Sequence, residues 1–566
     1  MSIHLIFPLY LIFFIISTIG YGYMFSNYFN NNFLKFNIGY QGLIGFFFIT
    51  FISIITSFFF KHGFLHNSII HLIGCASFLI YLKKKTLKID ELKELFIIFL
   101  LLISALYIFK NHDDFSYYHL TYSLNLTENK FIVGTGNFSH GFRTFSSIFY
   151  YHSILYMPFI KYYLFHSGPL IILIFVNSML ISKIIYFAKE KDLNFVYFFS
   201  LLSLAFANII FYRIGEHGTD RSAQILLLLI FIFLFEIKFL NLEKKAKKDL
   251  IYLMMLIIIF TATLKAIYIL YLVLIPVALY GLKDFKYYFL SIKYKFLLIL
   301  FFAGTSILLV NFLSTGCLLY PAKSTCTTKV IWHIPQNEVK IMNIHYEWWA
   351  KAGGGPNYKS KLKKEEYIKD FNWVKNWIDR HFFNKVSDTL LGILAICLIF
   401  SSFFLKIKKR KKRKKRKYKT FDIYLIIIFF LTVWFIKHPA MRYGGFVLIS
   451  LPFFTFISGY LGSYTYKNSK IFLTTNLMIF IIFLTFNVRN IVRLNKEIDF
   501  YKYDIQQSPL FYVEKIQSEI THTNKNFKIY SPLGGSCWDS KTPCSYNRNL
   551  DSYKKLGFNI VFRKDE

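Results

Sequence analysis

Two adjacent carboxylates at the start of the first long polar stretch are the clearest candidates for chemistry in this sequence. Asp113 and Asp114 follow directly after an apolar block, in the run NHDDFSYYHL. A carboxylate at a membrane boundary is costly unless it is solvated or paired. Such a pair can supply a general base and a second group that binds a metal or a positive charge. We therefore expect a catalytic base here and leave a divalent cation open; the alternative is a solvated helix end.

The same polar stretch adds groups that suit a sugar. It continues as GTGNFSHGFRTFSSIFYYH, and its candidates for substrate binding are His119, His140 and Arg143. Binding sites are built from apolar and aromatic walls with a few polar groups that fix orientation. Aromatic rings beside carboxylates and hydroxyl groups therefore favour a carbohydrate ligand.

A second charged turn and two isolated cations extend this set. The turn YRIGEHGTDRSAQ lies between two apolar blocks and carries Arg213, Glu216, Asp220 and Arg221. Arginine binds phosphate bidentately, so we expect the turn to form a wall of the same cavity. Lys265 and Arg442 would add further cations for an anionic headgroup. The alternatives are ordinary charges at helix ends and side chains that snorkel to the interface.

The elements that must position these residues are membrane-spanning helices. The chain is 55% hydrophobic and only 17% charged, against about 25% charged residues in a typical soluble domain. Apolar blocks of roughly 16 to 23 residues predict about fourteen transmembrane helices, and the alternating pattern of a β-barrel is absent. The predicted regions are helices in 1–110, a large loop in 111–167, helices in 168–313, a loop in 314–387, helices in 388–488 and a tail in 489–566.

The distribution of basic residues predicts the orientation. The net charge is +36, and Lys and Arg concentrate in short loops, above all in the run 406–419, which is typical of a cytoplasmic face. We interpret this run as an anchor on anionic headgroups rather than a nucleic-acid site. All the basic loops share one face if 249–282 is a helical hairpin that turns at Lys265. Both termini are then extracytoplasmic.

Four cysteines lie in segments that this topology exports. Cys317 and Cys326 form one local pair, and Cys537 and Cys544 form another. Local pairs in an oxidising compartment favour disulfides, with free thiols as the alternative. Two further features are predicted on the same face: a Trp-rich juxtamembrane helix over 367–383 and a small mixed α/β domain in the tail.

Several short motifs resemble those of a known superfamily. They are DDFSYYH from Asp113, NFSHGFRTFSS from Asn137, GTD from Gly218, LLYP from Leu318 and CWDSKTPC from Cys537. Together they resemble a group of bacterial multi-pass membrane proteins related to the GT-C glycosyltransferases, from about residue 95 to the C-terminus. The resemblance implies a GT-C-like fold, a polyprenyl-phosphate sugar donor, and a general-base or metal-binding role for Asp113 or Asp114. About four spans precede the acidic pair here, whereas many GT-C enzymes place it after the first helix.

We therefore expect a membrane glycosyltransferase that transfers a sugar from a polyprenyl-phosphate carrier to a glycan or glycolipid of the cell envelope. The expected partners are membrane lipid, this donor and this acceptor, without nucleic acid. The alternatives are a transporter or flippase of a lipid-linked glycan and a non-catalytic envelope assembly protein. The hypothesis requires the distant loops to converge, so that a carboxylate and a guanidinium face one cavity.

Overall fold

Helices make up most of the chain in the computed structural model. It describes residues 3–29, 31–84, 86–216, 218–280, 282, 285–290, 293–352, 362–407, 418–464, 466, 470–506, 510–524 and 527–564. Most of the basic run predicted at 406–419 thus lies outside the described residues. The first half of the chain contains α1 (Ile3–Phe29), α2 (Ile38–Ser57), α3 (Phe64–Lys83), α4 (Ile89–Leu102), α5 (Leu120–Glu128), α6 (Ile148–Ile154), α7 (Gly168–Lys189), α8 (Phe195–Ile209), α9 (Gly218–Phe239) and α10 (Lys244–Leu264).

The second half continues the helical bundle and ends in two β-hairpins. Its helices are α11 (Leu274–Leu279), α12 (Phe285–Leu290), α13 (Tyr294–Thr315), α14 (Gln336–Lys351), α15 (Lys364–Ile368), α16 (Val374–Trp377), α17 (Ser387–Ile407), α18 (Phe421–Lys437), α19 (Gly445–Gly462) and α20 (Ile471–Tyr501). Its strands are β1 (Ser518–Asn524), β2 (Phe527–Pro532), β3 (Leu550–Lys555) and β4 (Phe558–Arg563).

Nine helical segments of the described chain are long and apolar enough to cross a membrane. They are Leu5–Phe29, Ile38–Ser57, Phe64–Lys83, Phe165–Lys189, Thr219–Phe239, Tyr294–Thr315, Val374–Lys406, Gly445–Gly462 and Ile471–Tyr501. This is the pattern of a multi-pass membrane protein. The fourteen predicted spans are not confirmed, because several apolar blocks form shorter helices. The 14 residues of α4 rise only about 21 Å, against a hydrocarbon core of about 30 Å.

The segment 249–282 breaks at Lys265, where the sequence predicts the turn of a hairpin. Lys265 ends α10 with an extended backbone (φ −154°, ψ 116°). A 3₁₀ helix, Ala266–Val273, follows and packs back against α10. The break leaves the Lys265 side chain at the end of two packed helices rather than within one long span.

The Trp-rich segment predicted as one helix over 367–383 is divided in the structure. α15 ends at Ile368, and α16 leads into the π-helix Ile378–Val386 and then into α17. Trp373 and Trp377 are buried, and Trp377 donates a hydrogen bond to the carbonyl of Pro439 at 2.8 Å. These indoles therefore pack inside the protein, against the turn between α18 and α19.

The C-terminal tail differs from the predicted mixed α/β domain. α20 runs to Tyr501, so the predicted boundary at 489 falls inside a helix. Beyond it, the regular elements of the described residues are strands: β1 pairs with β2 and β3 pairs with β4, both antiparallel. Alternating Ile, Val and Tyr side chains in these segments suit half-buried strands.

The tail docks on the first polar loop, residues 111–167. Val133 forms a parallel bridge with Ile560 in β4. The backbone N–H of Trp538 donates to the carbonyl of Ser116 at 3.2 Å, immediately after the acidic pair. The end of the chain thus helps to fix the loop that carries the candidate base.

Candidate functional site

Four charged side chains from four separate segments meet at one cavity. The Arg442 guanidinium donates through Nε to Asp220 at 2.7 Å and through Nη2 to Asp114 at 3.2 Å. Lys265 forms an ion pair with the other carboxylate oxygen of Asp220. All four side chains line a cavity of about 360 Å³. The sequence singled out each of them, and the structure brings them together.

The turn that carries Arg442 is held through its backbone. A 3₁₀ turn, Met441–Tyr443, ends at Gly444, whose positive φ of 99° favours glycine. Trp434 donates to the carbonyl of Ala440 at 3.1 Å, and the buried Gln224 amide donates to the carbonyl of Met441 at 3.4 Å. These contacts fix the backbone beside Arg442 and do not use the hydrogen-bond donors of its guanidinium.

The other three charges lie at the ends of helices. Asp220 is in the first turn of α9, where the helix dipole stabilises a negative charge. Lys265 lies 4.3 Å from the centre of the Tyr443 ring. Asp114 directly precedes a π-helical turn, Phe115–His119, a distortion that often occurs at functional sites.

The electrostatic environment keeps Asp114 ionised. Burial alone would raise the pKa of its carboxyl, but the Arg442 guanidinium lowers it below the usual value. Burial lowers the pKa of His119 to about 4 and that of His438 to about 4. At neutral pH the site therefore holds two carboxylates and two cations beside uncharged imidazoles.

Aromatic and polar side chains form the rest of the cavity wall. The aromatic members are Tyr118, Phe145, Phe149, Tyr320, Tyr346, Trp349 and Tyr443. The uncharged polar members include His140, Ser146, Asn311, His345 and His438. The Arg442 guanidinium also lies 5.3 Å from the centre of the Trp349 ring, a favourable cation–π geometry. The cavity thus combines apolar surface with a few polar groups, as small-molecule sites do.

The two residues of the acidic pair have separate environments. The Asp113 side chain is 92% exposed and lies 3.9 Å from Lys110, whereas Asp114 is 30% exposed and faces Arg442. In the part of the chain that the structure describes, no group of three or more His, Cys, Asp or Glu residues is arranged to hold a metal ion. The structure therefore does not bring the Asp113 carboxylate to the cavity beside Asp114.

Arg143 and His119 support the cavity from behind its wall. Arg143 donates to the Gly136 carbonyl at 2.9 Å, donates to the Tyr320 hydroxyl at 3.2 Å and pairs with Glu338 at 2.9 Å. The Nε2 atom of His119 is buried without a hydrogen-bond partner among the described residues. Of the predicted sugar-binding residues in this loop, His140 lines the cavity directly.

Arg213 and Glu216 belong to a different cluster, with Arg493 and Glu497 of α20. Arg213 donates to Glu216 at 2.6 Å, and Glu216 lies 3.9 Å from Arg493 of α20. Arg493 also pairs with Glu497 at 3.0 Å, and this carboxylate accepts the backbone N–H of Phe109 at 2.9 Å. The cluster ties α20 to the chain just before the acidic pair.

Arg221 is separate from the cavity as well. Its guanidinium lies 5.4 Å from the centre of the Phe211 ring. Arg213, Glu216 and Arg221 are not among the described residues that line the cavity, so the predicted shared wall is limited to Asp220.

Both predicted disulfides are present. Cys317 is bonded to Cys326, and Cys537 to Cys544. The first bridge encloses the loop that places Tyr320 in the cavity wall. The second encloses Trp538, whose backbone binds next to the acidic pair. Both confirmed bridges therefore lie close to the site.

One wall of the cavity was not identified from the sequence. His345, Tyr346 and Trp349 of α14 line it, and none of the three is among the residues that the sequence singled out for substrate binding. Positions i, i+1 and i+4 share one helix face. That spacing was the signal that could have placed these residues together.

Comparison with known proteins identifies the family. A family described as "Domain of unknown function (DUF8201)" matches residues 4–449. The chain belongs to the DUF8201 family. The match includes all four charged residues of the cavity and ends before the β-hairpins. No curated protein and no solved structure matches this DUF8201 chain, and neither search links it to the GT-C enzymes.

Proposed function

We propose that this DUF8201 protein is a GT-C-like glycosyltransferase that moves a sugar from a polyprenyl-phosphate donor to a cell-envelope glycan or glycolipid. One observation carries the proposal. The half-buried Asp114 carboxylate lies 3.2 Å from the Arg442 guanidinium, in a cavity at the ends of membrane-length helices. A base and a phosphate-binding cation thus lie within the reach of one substrate.

In the proposed reaction, an acceptor hydroxyl attacks the anomeric carbon of the donor sugar. The new glycosidic C–O bond forms as the C–O bond to the phosphate breaks, and the phosphate leaves with the bonding electrons. Asp114 accepts the hydroxyl proton. Arg442 and Lys265 stabilise the charge that develops on the leaving phosphate. The configuration at the anomeric carbon is inverted.

The pairing of Asp114 with Arg442 couples donor binding to basicity. In the protein without bound donor, the Asp114 carboxyl has a lowered pKa and is a weak base. A phosphate that approaches Arg442 weakens the pull of the guanidinium on Asp114, and burial then raises the pKa of the carboxyl. The donor therefore strengthens the base that the reaction needs.

The proposed topology has fourteen spans and places both termini and the site on the extracytoplasmic face of a bacterial plasma membrane. Lys183 pairs with Glu236, and Lys238 with Asp422, at the ends of the helices near the basic loops. The cavity and both disulfides lie at the opposite ends. Positive residues favour the cytoplasm and disulfides favour export, so both signals support the same orientation.

The acidic pair supplies a matched test. Purified protein in liposomes is given polyprenyl-phosphate hexoses and a lipid extract of the cell envelope as acceptor, and new glycosidic products are measured by mass spectrometry. We expect Asp114→Asn to slow transfer by about 10² to 10⁴-fold, while Asp113→Asn retains the wild-type rate. Equal activity of both variants and the wild-type protein would remove the base assignment.

The same liposomes separate an enzyme from a transporter. A flippase would move a labelled lipid-linked sugar between leaflets without forming a new glycosidic bond. We expect transfer to occur when donor and acceptor are both in the leaflet that faces the site. Redistribution of the label without any product would contradict the proposed reaction, and an assembly protein would give neither signal.

A further inference from the structure

A second cavity lies at the same ends of the helices, away from the charged site. This groove has a volume of about 1030 Å³ and is formed by the turn between α2 and α3, the segment 127–131 and the β3–β4 hairpin. Its apolar wall includes Phe59, Phe60, Leu65 and Ile69, all exposed. Leu556, at the hairpin tip between two residues that line the groove, is 90% exposed.

The rim of the groove is positively charged. Lys61, Lys130 and Lys554 line it with a single acid, Glu128, so three positive charges and one negative charge leave an excess of two positive charges. Glu128 is engaged by the Thr542 hydroxyl, which donates to it at 2.8 Å. The three lysines form no ion pair with any residue that the structure describes, and α3 begins beside them at Phe64, without a side-chain cap.

A histidine in the groove offers an acceptor. The two N–H bonds of the Asn67 amide face three carbonyls at 2.8 to 2.9 Å from Nδ2, which assigns Oδ1 as the acceptor facing Nδ1 of His66 at 2.9 Å. His66 therefore carries its proton on Nδ1, and Nε2 is left as an acceptor. This Nε2 atom is buried without a hydrogen-bond partner in the described chain. A ligand hydroxyl would satisfy it.

We propose that this groove binds an anionic glycerophospholipid whose headgroup carries a hydroxyl, such as phosphatidylglycerol. The phosphate lies among the three lysines and the uncapped N-terminus of α3. The headgroup hydroxyl donates to His66, and an acyl chain covers the aromatic wall. Because Lys554 lies on the C-terminal hairpin and Lys61 in the turn between α2 and α3, one lipid joins the two parts. This proposal is independent of the proposed catalytic activity.

Native mass spectrometry of the full-length protein in detergent tests this assignment. Phosphatidylglycerol is titrated against phosphatidylcholine, and free glycerol 3-phosphate tests whether the anion alone is sufficient. We expect the triple variant Lys61→Gln, Lys130→Gln and Lys554→Gln to bind phosphatidylglycerol about 100-fold more weakly, at about five-fold per lysine. The matched control removes three exposed lysines on the same side but outside the groove: Lys323→Gln, Lys329→Gln and Lys369→Gln.

Each outcome decides the proposal. A selective loss in the groove variant, with the control unchanged and both variants retaining the wild-type thermal midpoint, supports it. Equal binding of the two lipids, or equal losses in the two triple variants, would overturn it. Tight binding of free glycerol 3-phosphate would assign the groove to a soluble anion instead. His66→Leu is expected to lower affinity for phosphatidylglycerol but not for phosphatidic acid, and identical losses for both lipids would contradict the hydroxyl contact.

Discussion

Removal of the Asp220 charge should destabilise the protein more than removal of its partner Lys265. Asp220, Lys265 and Arg442 have side-chain exposures of 11%, 20% and 26%, so water screens them only in part. At 2.7 Å and an effective dielectric constant of about 20, the attraction between Asp220 and Arg442 is about 6 kcal/mol before the cost of desolvation. The net value is smaller, because both groups give up hydration on burial.

The substitution Asp220→Asn leaves two half-buried cations with Asp114 as the nearest remaining carboxylate of the cavity. Breaking a buried pair typically costs about 3 to 5 kcal/mol, and the open cavity places this case at the lower end, at about 3 kcal/mol. Lys265→Met leaves Asp220 paired with Arg442, so this variant should lose about 1 to 2 kcal/mol of stability. In the double variant the unpaired lysine is absent, and we expect a loss about 2 kcal/mol smaller than the sum of the single losses.

Denaturant unfolding in detergent micelles, followed by tryptophan fluorescence, measures the four members of this cycle. Asp113→Asn is the matched control. Its side chain is 92% exposed, so this substitution should lower the free energy of unfolding by no more than about 0.5 kcal/mol. Additive losses in the double variant, or a loss below about 1 kcal/mol for Asp220→Asn, would refute the reasoning.

Three further predictions concern the support of the site. Arg143→Met should lower stability by about 2 to 3 kcal/mol, and Arg143→Lys should not restore it, because lysine lacks the planar fork that reaches three acceptors. The double substitution Cys537→Ser and Cys544→Ser removes the disulfide that closes a short loop. It should lower the stability of the tail by about 2.5 kcal/mol, as measured by limited proteolysis. The folded-state pKa of His119 and of His438 is about 4, below the usual 6.5, so protonation favours unfolding and stability should fall as the pH decreases from 6.5 to 4.

Each of these has a result that would contradict it. Full stability of the lysine variant would show that the charge of Arg143 matters and its geometry does not. An unchanged cleavage rate after loss of the disulfide would mean that contacts with the first loop alone hold the tail. A thermal midpoint that is constant from pH 6.5 to 4 would contradict a contribution from either histidine, and an equal fall in the His438→Gln variant would exclude His438 as a cause.

The helical class was predictable from hydropathy, but the helix ends were not. α8 ends at Ile209 although the next residues, Ile210 and Phe211, are also apolar. Phe211 is fully buried in the turn. Apolar residues in buried connections extend the hydropathy signal beyond the helix, and this is why the predicted blocks are longer than several of the helices.

The members of the charged site were predictable because charge beside apolar blocks is costly. Their grouping was not, because it depends on how α9, α10 and α19 pack. Asp113 and Asp114 are neighbours in sequence, and only the backbone path into the π-turn determines which one faces Arg442. Glu216 could not be separated from Asp220 by sequence, because a distant arginine, Arg493, draws it toward α20.

The attachment of the tail to the first loop orders the events of biosynthesis. A ribosome completes the loop bearing Asp114 hundreds of residues before it reaches Trp538. The nascent chain therefore carries that loop without the contacts that the tail makes with it. The contacts between the tail and this loop can form only after Trp538 and Ile560 have been synthesised. A chain truncated before Trp538 would therefore carry the first loop without this support.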